Sequence, residues 1–351
     1  MTSPAVDPGA ATGSDMKWTR KTTVVAASSV VAAGGLTAGL LLIPGQRPAP
    51  PPPPRPTQSA KPVHPIHHQL RSPFTGERLK KLRTVLAVKI DNIVRARPQT
   101  GLTQADLVYV LPVEGGLSRF MAIFSSHIPR VIGPVRSARE DDLQLLRRFG
   151  RPAFAFSGAQ PQLLKVVERA RTADLYAGRV GGYFRRSTRI APYNLYAHTR
   201  QLLAEAKGAS KAHGIGFRFG HAPAGGRAKA TASVSYAAAS FRFTWSRSKG
   251  RWLMWMDGRR AASTEGPQLS AVTVVIQRTI VSTSRFLEAP GIRPPFARSI
   301  GSGSALVLRD GKAYHARWSR PHGRDGTTFT TDSGQPMTFA RGPVWIVLAP
   351  R

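Results

Sequence analysis

Residues 22–43 form a run of 22 residues without a charged side chain, and this run constrains where the rest of the chain can fold. As a helix it would be roughly 33 Å long at about 1.5 Å per residue, enough to cross a bilayer core of about 30 Å. Three basic residues between positions 17 and 21 precede it and indicate a cytoplasmic side. We therefore expect a disordered cytoplasmic N-terminus at 1–21, one transmembrane helix at 22–43 and an extracytoplasmic remainder. A cleaved signal peptide is the alternative.

A proline-rich segment at 44–71 follows the apolar run and contains an unbroken stretch of prolines at 50–54. Consecutive prolines adopt the stiff polyproline II conformation. The segment therefore predicts a linker that holds the folded part away from the membrane surface.

The charge of the chain is strongly unbalanced: 51 Lys and Arg stand against 18 Asp and Glu, which gives a net charge of +33. A field of this sign favours anionic partners such as nucleic acid, anionic lipid or acidic wall polymers. The alternative is an arginine-rich but merely solvated surface, since no run of five basic residues concentrates the charge. Cysteine is absent, which excludes disulfides, catalytic thiols and a lipidated N-terminal cysteine.

Apolar runs and turn residues divide the remainder into two parts, and together they predict an α+β fold. The first part, 72–215, is expected to be an α/β-type mixed domain with strands at 85–90, 107–113, 117–124 and 153–156 and helices at 137–149 and from Pro161. A Gly-rich stretch separates it from the second part, 233–351, which is expected to be β-rich. There the pattern predicts a type I′ hairpin at Asp310-Gly311 and a strand at 335–339.

Polar residues at the start of the helix at 137–149 suggest an anion-binding site. Ser137 and Glu140 have the spacing of a capping box, and Arg136 and Arg139 would bring guanidinium groups to the helix N-terminus. Guanidinium groups bind phosphate or carboxylate in a bidentate manner. The alternative is that both arginines pair with the acidic residues at 140–142.

Two carboxylates that follow predicted strands, Asp91 and Glu114, are candidates for a catalytic acid and base. Glycoside hydrolysis needs such a pair at a separation of roughly 5–10 Å. Asn92, Arg97 and Arg119 would line the same site and contact its ligand. The competing interpretation is that Asp91 only caps a turn. We expect no metal and no cofactor, because the sequence contains neither zinc-ligand spacings nor a phosphate-binding loop motif.

Several strings in this sequence resemble those of the YerB-like envelope proteins, a family with a two-part domain of unknown function. They include Pro-Phe-Thr-Gly at 73–76, Ile-Asp-Asn at 90–92, Ala-Arg-Pro-Gln-Thr-Gly-Leu at 96–102, Ile-Gly-Pro-Val-Arg-Ser-Ala-Arg at 132–139 and Gly-Pro-Val-Trp-Ile at 342–346. The resemblance covers roughly residues 72–350 and implies an envelope location without an established reaction. Val110 and Tyr193 stand where family members often have Glu and His.

Two functions follow as hypotheses. The first is a membrane-tethered, extracytoplasmic protein that binds an anionic cell-wall polymer or an envelope protein. The alternative is an envelope hydrolase or transferase that acts on glycan or phosphate linkages through Asp91 and Glu114. Nucleic acid would match the charge, but the predicted topology argues against it.

Overall fold

The computed structural model describes residues 69–351. The predicted disordered N-terminus, the predicted transmembrane helix and most of the predicted linker lie outside the described residues. Within 69–351 no helix is both long enough and apolar enough to cross a membrane.

The N-terminal half contains both helices and strands. Its strands are β1 (Leu86–Asp91), β2 (Leu107–Pro112), β3 (Ser118–Phe124), β4 (Val131–Ile132), β5 (Ala153–Phe156), β6 (Ala173–Tyr176), β7 (Tyr183–Arg185) and β8 (Leu195–His198). Its helices are α1 (Glu140–Leu146), α2 (Pro161–Glu168) and α3 (Thr199–Glu205), with 3-10 turns at Val94–Ala96, Leu102–Gln104, Glu114–Gly116 and Arg147–Phe149.

The elements of the C-terminal half are all strands. They are β9 (Arg227–Ala228), β10 (Thr231–Ser235), β11 (Ser240–Ser246), β12 (Arg251–Met256), β13 (Arg259–Arg260), β14 (Ser270–Ala271), β15 (Thr273–Thr279), β16 (Val281–Thr283), β17 (Pro295–Ala297), β18 (Gly301–Arg309), β19 (Lys312–Arg320), β20 (Thr328–Thr331) and β21 (Val344–Pro350). The prediction of a fold that mixes helices and strands is confirmed.

One large sheet runs through both halves, in the order β20-β19-β18-β15-β21-β2-β3-β1-β5-β6, with β9 paired to β19. The two halves meet where β21 pairs in parallel with β2. Every residue of β1, β2 and β3 is buried. Strands with two buried faces are expected to read as nearly continuous apolar runs, and the three strands do so apart from Lys89 and Asp91 in β1 and the first two residues of β3.

Alternate side chains of the large sheet enter two different cores. On one face Val88, Val110 and Phe120 pack with Phe241 and Trp252 of the second sheet, which contains β10 to β14. On the other face, Ala87, Tyr109 and Met121 have the opposite parity and share a core with Leu145 of α1, Phe149 of the following 3-10 turn and Leu163 of α2. Val110 therefore belongs to the core on the face away from α1 and α2.

One hairpin and one strand predicted for the C-terminal half have different outcomes. The Asp310-Gly311 turn joins β18 to β19, and both residues have positive φ (51° and 70°), as a type I′ turn requires. The strand predicted at 335–339 is wrong. That segment makes only isolated bridges at Pro336 and Phe339, and Pro336 has no amide hydrogen to donate to a ladder.

Candidate functional site

Asp91 lies at the end of β1 and faces the helix side of the large sheet, directly opposite Arg119 on β3. The backbone at Arg136 runs beside this strand end, because its amide donates to the Lys89 carbonyl at 2.8 Å. Arg136 Nε consequently lies 3.1 Å from Asp91 Oδ2, within ion-pair range but not aligned for a hydrogen bond. Tyr193 completes this part of the site, with the Arg136 guanidinium 5.7 Å from its ring centre.

Glu114 enters the same site from the turn between β2 and β3. The turn is possible because Gly115 and Gly116 both have positive φ, and a Cβ on Gly116 would lie 2.5 Å from the Ala237 side chain. The Glu114 carboxylate accepts from Arg119 Nη2 at 3.2 Å, from Arg139 Nε at 3.1 Å and also from Arg139 Nη2. Burial alone would raise the pKa of Glu114, but the hydrogen bond from Arg139 and the nearby positive charges outweigh it and lower the pKa to about 2.

Arg139 also contacts a carboxylate from the C-terminal half. Its Nη2 lies 2.8 Å from Glu288 Oε1, in the loop between β16 and β17. Arg139 itself is buried, whereas the Glu288 side chain is 32% exposed. We call the resulting set the Glu114 corner; its members are Asp91, Glu114, Arg119, Arg136, Arg139 and Glu288. Three guanidinium groups thus face three carboxylates, and the charges balance.

The acidic residues at the start of α1 do not pair with Arg136 and Arg139 through their side chains. Asp142 accepts from the Arg139 backbone amide at 2.7 Å and from Lys89 Nζ at 2.5 Å, both beneath the corner. The predicted capping box of Ser137 and Glu140 is therefore wrong. The helix begins at Glu140, its N-cap residue is Arg139, and the Asp142 carboxylate accepts from the Arg139 amide. The sequence has three acidic residues in succession, so more than one of them could have capped the helix. Asp142 takes this position because its carboxylate is also bound by the buried Lys89.

The neighbouring acids have other partners. Glu140 accepts from Ser284 Oγ at 2.8 Å and from Arg285 Nε at 2.5 Å. Asp141 is fully buried, and its burial together with the charge of Asp142 raises its pKa to about 7. The N-terminal turn of α1 is thus built into the fold by contacts with both halves of the chain.

The remaining predicted site residues lie at the edge of the corner or outside it. Ser137 contributes its carbonyl, which accepts from Arg119 Nη1 at 3.2 Å. Asn92 is buried and bonded to Ser118 Oγ at 2.9 Å and to Gln99 Nε2 at 2.9 Å, so it supports the strand end. Arg97 lies outside the corner: it donates to the Asn92 carbonyl at 2.7 Å and forms an ion pair with Asp257 of the C-terminal half at 2.7 Å.

Two residues in or beneath the corner, Glu288 and Lys89, were not predicted from the sequence. Glu288 lies in a loop without periodicity, about 150 positions after Arg139 along the chain. Lys89 interrupts an otherwise apolar strand, and this break in the pattern is the only mark of a buried partner for Asp142. Within residues 69–351 no three His, Asp or Glu side chains are grouped so that they could hold a metal ion.

The geometry limits what the corner can do. A carboxylate with a pKa near 2 stays ionised at neutral pH, so Glu114 has no proton to donate as a general acid. Asp91 is 1% exposed and lies in contact with Arg136. Glu114, by contrast, lines a groove of about 450 Å³ whose other wall contains Thr283, Ile292 and Arg293. The arrangement is suited to holding charged groups in fixed positions beside a groove.

Fold and site together define a two-part mixed α/β protein in which the N-terminal half supplies most of a charged corner and the C-terminal half closes it. The chain belongs to the YerB-like family: residues 74–213 match the "Protein of unknown function (DUF3048) N-terminal domain", and residues 232–346 match the corresponding C-terminal domain. The resemblance identified in the sequence is thereby confirmed.

Two comparisons with individual proteins agree with this family. "Putative lipoprotein YerB" of Bacillus subtilis is 40% identical over 103 residues, which cover 28% of this chain and 31% of that protein. The chain thus matches less than a third of that relative's length. A crystal structure of the YerB protein from Bacillus subtilis superposes with a TM-score of 0.69 at 24% identity, over 81% of this chain and 97% of the other. At this identity the likeness concerns the fold alone.

Proposed function

We propose that this chain is a membrane-tethered, extracytoplasmic protein of the bacterial cell envelope that binds an anionic cell-wall component or another envelope protein. The name of the Bacillus subtilis relative, a lipoprotein, supports an envelope location. The uncharged run at 22–43 and the net charge of +33 support a tether and an anionic partner.

One contact carries the proposal at the level of the site: the carboxylate of Glu288 on the buried guanidinium of Arg139. Glu288 comes from a loop and is partly exposed, whereas Glu114 holds Arg139 from the inside. A ligand carboxylate or phosphate that replaced Glu288 would find a guanidinium already oriented. The groove beside Glu114 gives the rest of such a ligand a place to lie.

The alternative, a hydrolase or transferase that uses Asp91 and Glu114, has weaker support. Acid and base catalysis needs one group that can hold a proton at working pH, and Glu114 has a pKa of about 2. The arginines that lower the pKa of Glu114, and so prevent it from acting as a general acid, belong to the group that we expect to bind an anion.

Binding of the purified full chain to cell wall with and without its anionic polymers, across a salt series, tests the proposal. We expect Glu288→Ala to strengthen binding by about tenfold. Arg136→Ala removes an arginine whose side chain is 24% exposed, and we expect it to weaken binding by about tenfold. Arg200→Ala is the matched control, since it removes one exposed charge from α3.

The proposal is contradicted if Arg136→Ala and Arg200→Ala weaken binding equally and binding of all variants fades together with salt. That result would mean that the net charge acts diffusely. Turnover of a glycan or phosphodiester substrate that is abolished by Glu114→Gln would instead favour the enzyme.

A further inference from the structure

A second group of arginines surrounds a cavity of about 480 Å³ on the outer side of α1 and α2. Its cations come from four separate parts of the chain: Arg147, Arg169 and Arg171, Arg285, and Arg324. We call it the arginine cavity. Glu140 is the one carboxylate that lines it, and Arg285 Nε holds Glu140 at 2.5 Å.

The other four arginines have no such partner. Within residues 69–351, no salt bridge or side-chain hydrogen bond is formed by Arg147, Arg169, Arg171 or Arg324. All four are exposed. Like charges around one space repel each other, although less strongly where water screens them. An anion within the cavity would turn this repulsion into attraction.

A buried hydroxyl provides an independent observation. Thr172 lines the cavity, is only 8% exposed, and its Oγ1 has no hydrogen-bond partner among the described residues. A buried polar atom without a partner costs free energy, so native proteins rarely leave one. A ligand oxygen in the cavity would satisfy it.

The walls of the cavity also indicate the shape of its ligand. Phe296 and Val166 contribute apolar surface beside the cationic rim, and Val166 is 39% exposed. A ligand that fits both features has a compact, multiply charged oxyanion joined to a carbon skeleton. Phosphate combines up to two charges with several acceptor oxygens, and guanidinium groups match its geometry.

We propose that the arginine cavity is a binding site for the phosphate group of a phosphate ester, distinct from the Glu114 corner. The arginines supply the charge, Thr172 supplies a hydroxyl contact, and Phe296 covers the carbon part of the ligand. Free phosphate esters and phosphodiester polymers share this chemistry.

Titration calorimetry of the full chain in detergent, at physiological ionic strength, tests the site with inorganic pyrophosphate as the probe. We expect a saturable binding event that depends on the cavity arginines and persists in Arg136→Ala. Arg171→Ala/Arg324→Ala should weaken it by about tenfold or more, because each lost charged hydrogen bond removes that order of affinity. Thr172→Val should weaken it by about threefold and retain the shape of the side chain.

The matched control is Arg200→Ala/Arg247→Ala, which removes two exposed arginines elsewhere and should change the affinity by less than about twofold. Equal weakening in the control and cavity variants would overturn the proposal, as would an absence of saturable binding. Arg136→Ala removes a charge from the Glu114 corner, so any part of the binding curve that this variant alone abolishes belongs to the corner and not to the arginine cavity. A loss there as large as in the cavity variant would place the ligand at the Glu114 corner and overturn the proposal too.

Titrations with glycerol 3-phosphate and with a glycerol-phosphate polymer then separate the two sources of the phosphate. Tighter binding of the polymer per phosphate, lost in Arg171→Ala/Arg324→Ala, would support a polymeric ligand at this site. Equal binding of both, lost in the same variant, would support a free phosphate ester.

Discussion

The Glu114 corner lies at the N-terminal end of α1 and the arginine cavity is lined by residues along that helix; both are rich in arginine, but their charges are arranged differently. In the corner, three arginines meet three carboxylates, two of these arginines are buried, and Asp91 and Arg119 are register partners in neighbouring strands. In the cavity, four of the five arginines are exposed and form no ion pair with a carboxylate among the described residues.

This difference separates two uses of the same side chain. Burying a guanidinium costs free energy unless its N–H groups and its charge find partners inside the protein, so the paired arginines of the corner are part of the fold before any ligand arrives. An exposed, unpaired guanidinium contributes little to stability and remains available to a partner. The net charge of +33 is therefore a poor guide to binding unless paired and unpaired arginines are distinguished.

The largest effect is expected beneath the corner, at the pair of Lys89 and Asp142, where both side chains are fully buried. Lys89→Met leaves the Asp142 charge buried without its partner, and we expect a loss of about 3–5 kcal/mol in the free energy of unfolding by urea. The double variant Lys89→Met/Asp142→Asn should recover part of the lost free energy of unfolding, because it no longer buries an unpaired charge. A loss below about 1 kcal/mol in the single variant would show that the pair is not structural.

Glu114→Gln tests the corner itself and has a defined pH dependence. The pKa of Glu114 is about 2 in the folded protein and 4.5 ordinarily, so its contribution to stability is present above about pH 4.5 and is lost as the pH falls towards 2. At pH 7 we expect the variant to lose about 2 kcal/mol. Between pH 4.5 and 2 the difference from the wild type should shrink. A difference that stays constant across this range would exclude an ionised Glu114.

Asp141→Asn should act in the opposite direction. Burial and the charge of Asp142 raise the pKa of Asp141 to about 7, so the wild type loses stability as the pH rises from about 3.8 to 7. Above pH 7 we expect the variant to be more stable than the wild type by about 1 kcal/mol, with no such gain near pH 4. Thermal unfolding at the two pH values measures this, and a gain at both would point to packing instead of charge.

The smallest effect is expected in the arginine cavity. Arg171→Ala/Arg324→Ala should change the free energy of unfolding by less than about 0.5 kcal/mol, because neither side chain has a partner to lose among the described residues. Urea unfolding of this variant beside Lys89→Met gives the sharpest contrast between the two regions. A loss of several kcal/mol would assign the cavity to the fold.

Much of the N-terminal half could be predicted from the sequence because its strands are buried on both faces. Apolar runs predicted β1, β2, β3 and β5 to within about a residue. The mixture of helices and strands followed from them. The pairing of β2 with β21 could not be predicted, since nothing local links residues more than 230 positions apart.

The site residues also divide into those that a local sequence pattern could predict and those that depend on long-range contacts. Asp91, Glu114, Arg119, Arg136 and Arg139 lie near one another in sequence, and the structure brings them together. Arg97 was predicted to line the same site, but its side chain bonds to the Asn92 carbonyl and to Asp257, outside the Glu114 corner. Glu288 and the arginine cavity depend on contacts across the large sheet and between distant loops, which no spacing rule encodes.

The position of β21 has a consequence for how the protein is made. It pairs with β15 on one side and β2 on the other, so both of those strands lack a neighbour until residues 344–350 have been synthesised. At about 5–20 residues per second, synthesis from the end of β2 to the start of β21 takes about 10–50 s, and during this time β2 has an open edge in the middle of the future sheet. Unpaired strand edges are where nascent chains aggregate. We therefore expect the unfinished chain to need the protection of a chaperone more than the finished protein does.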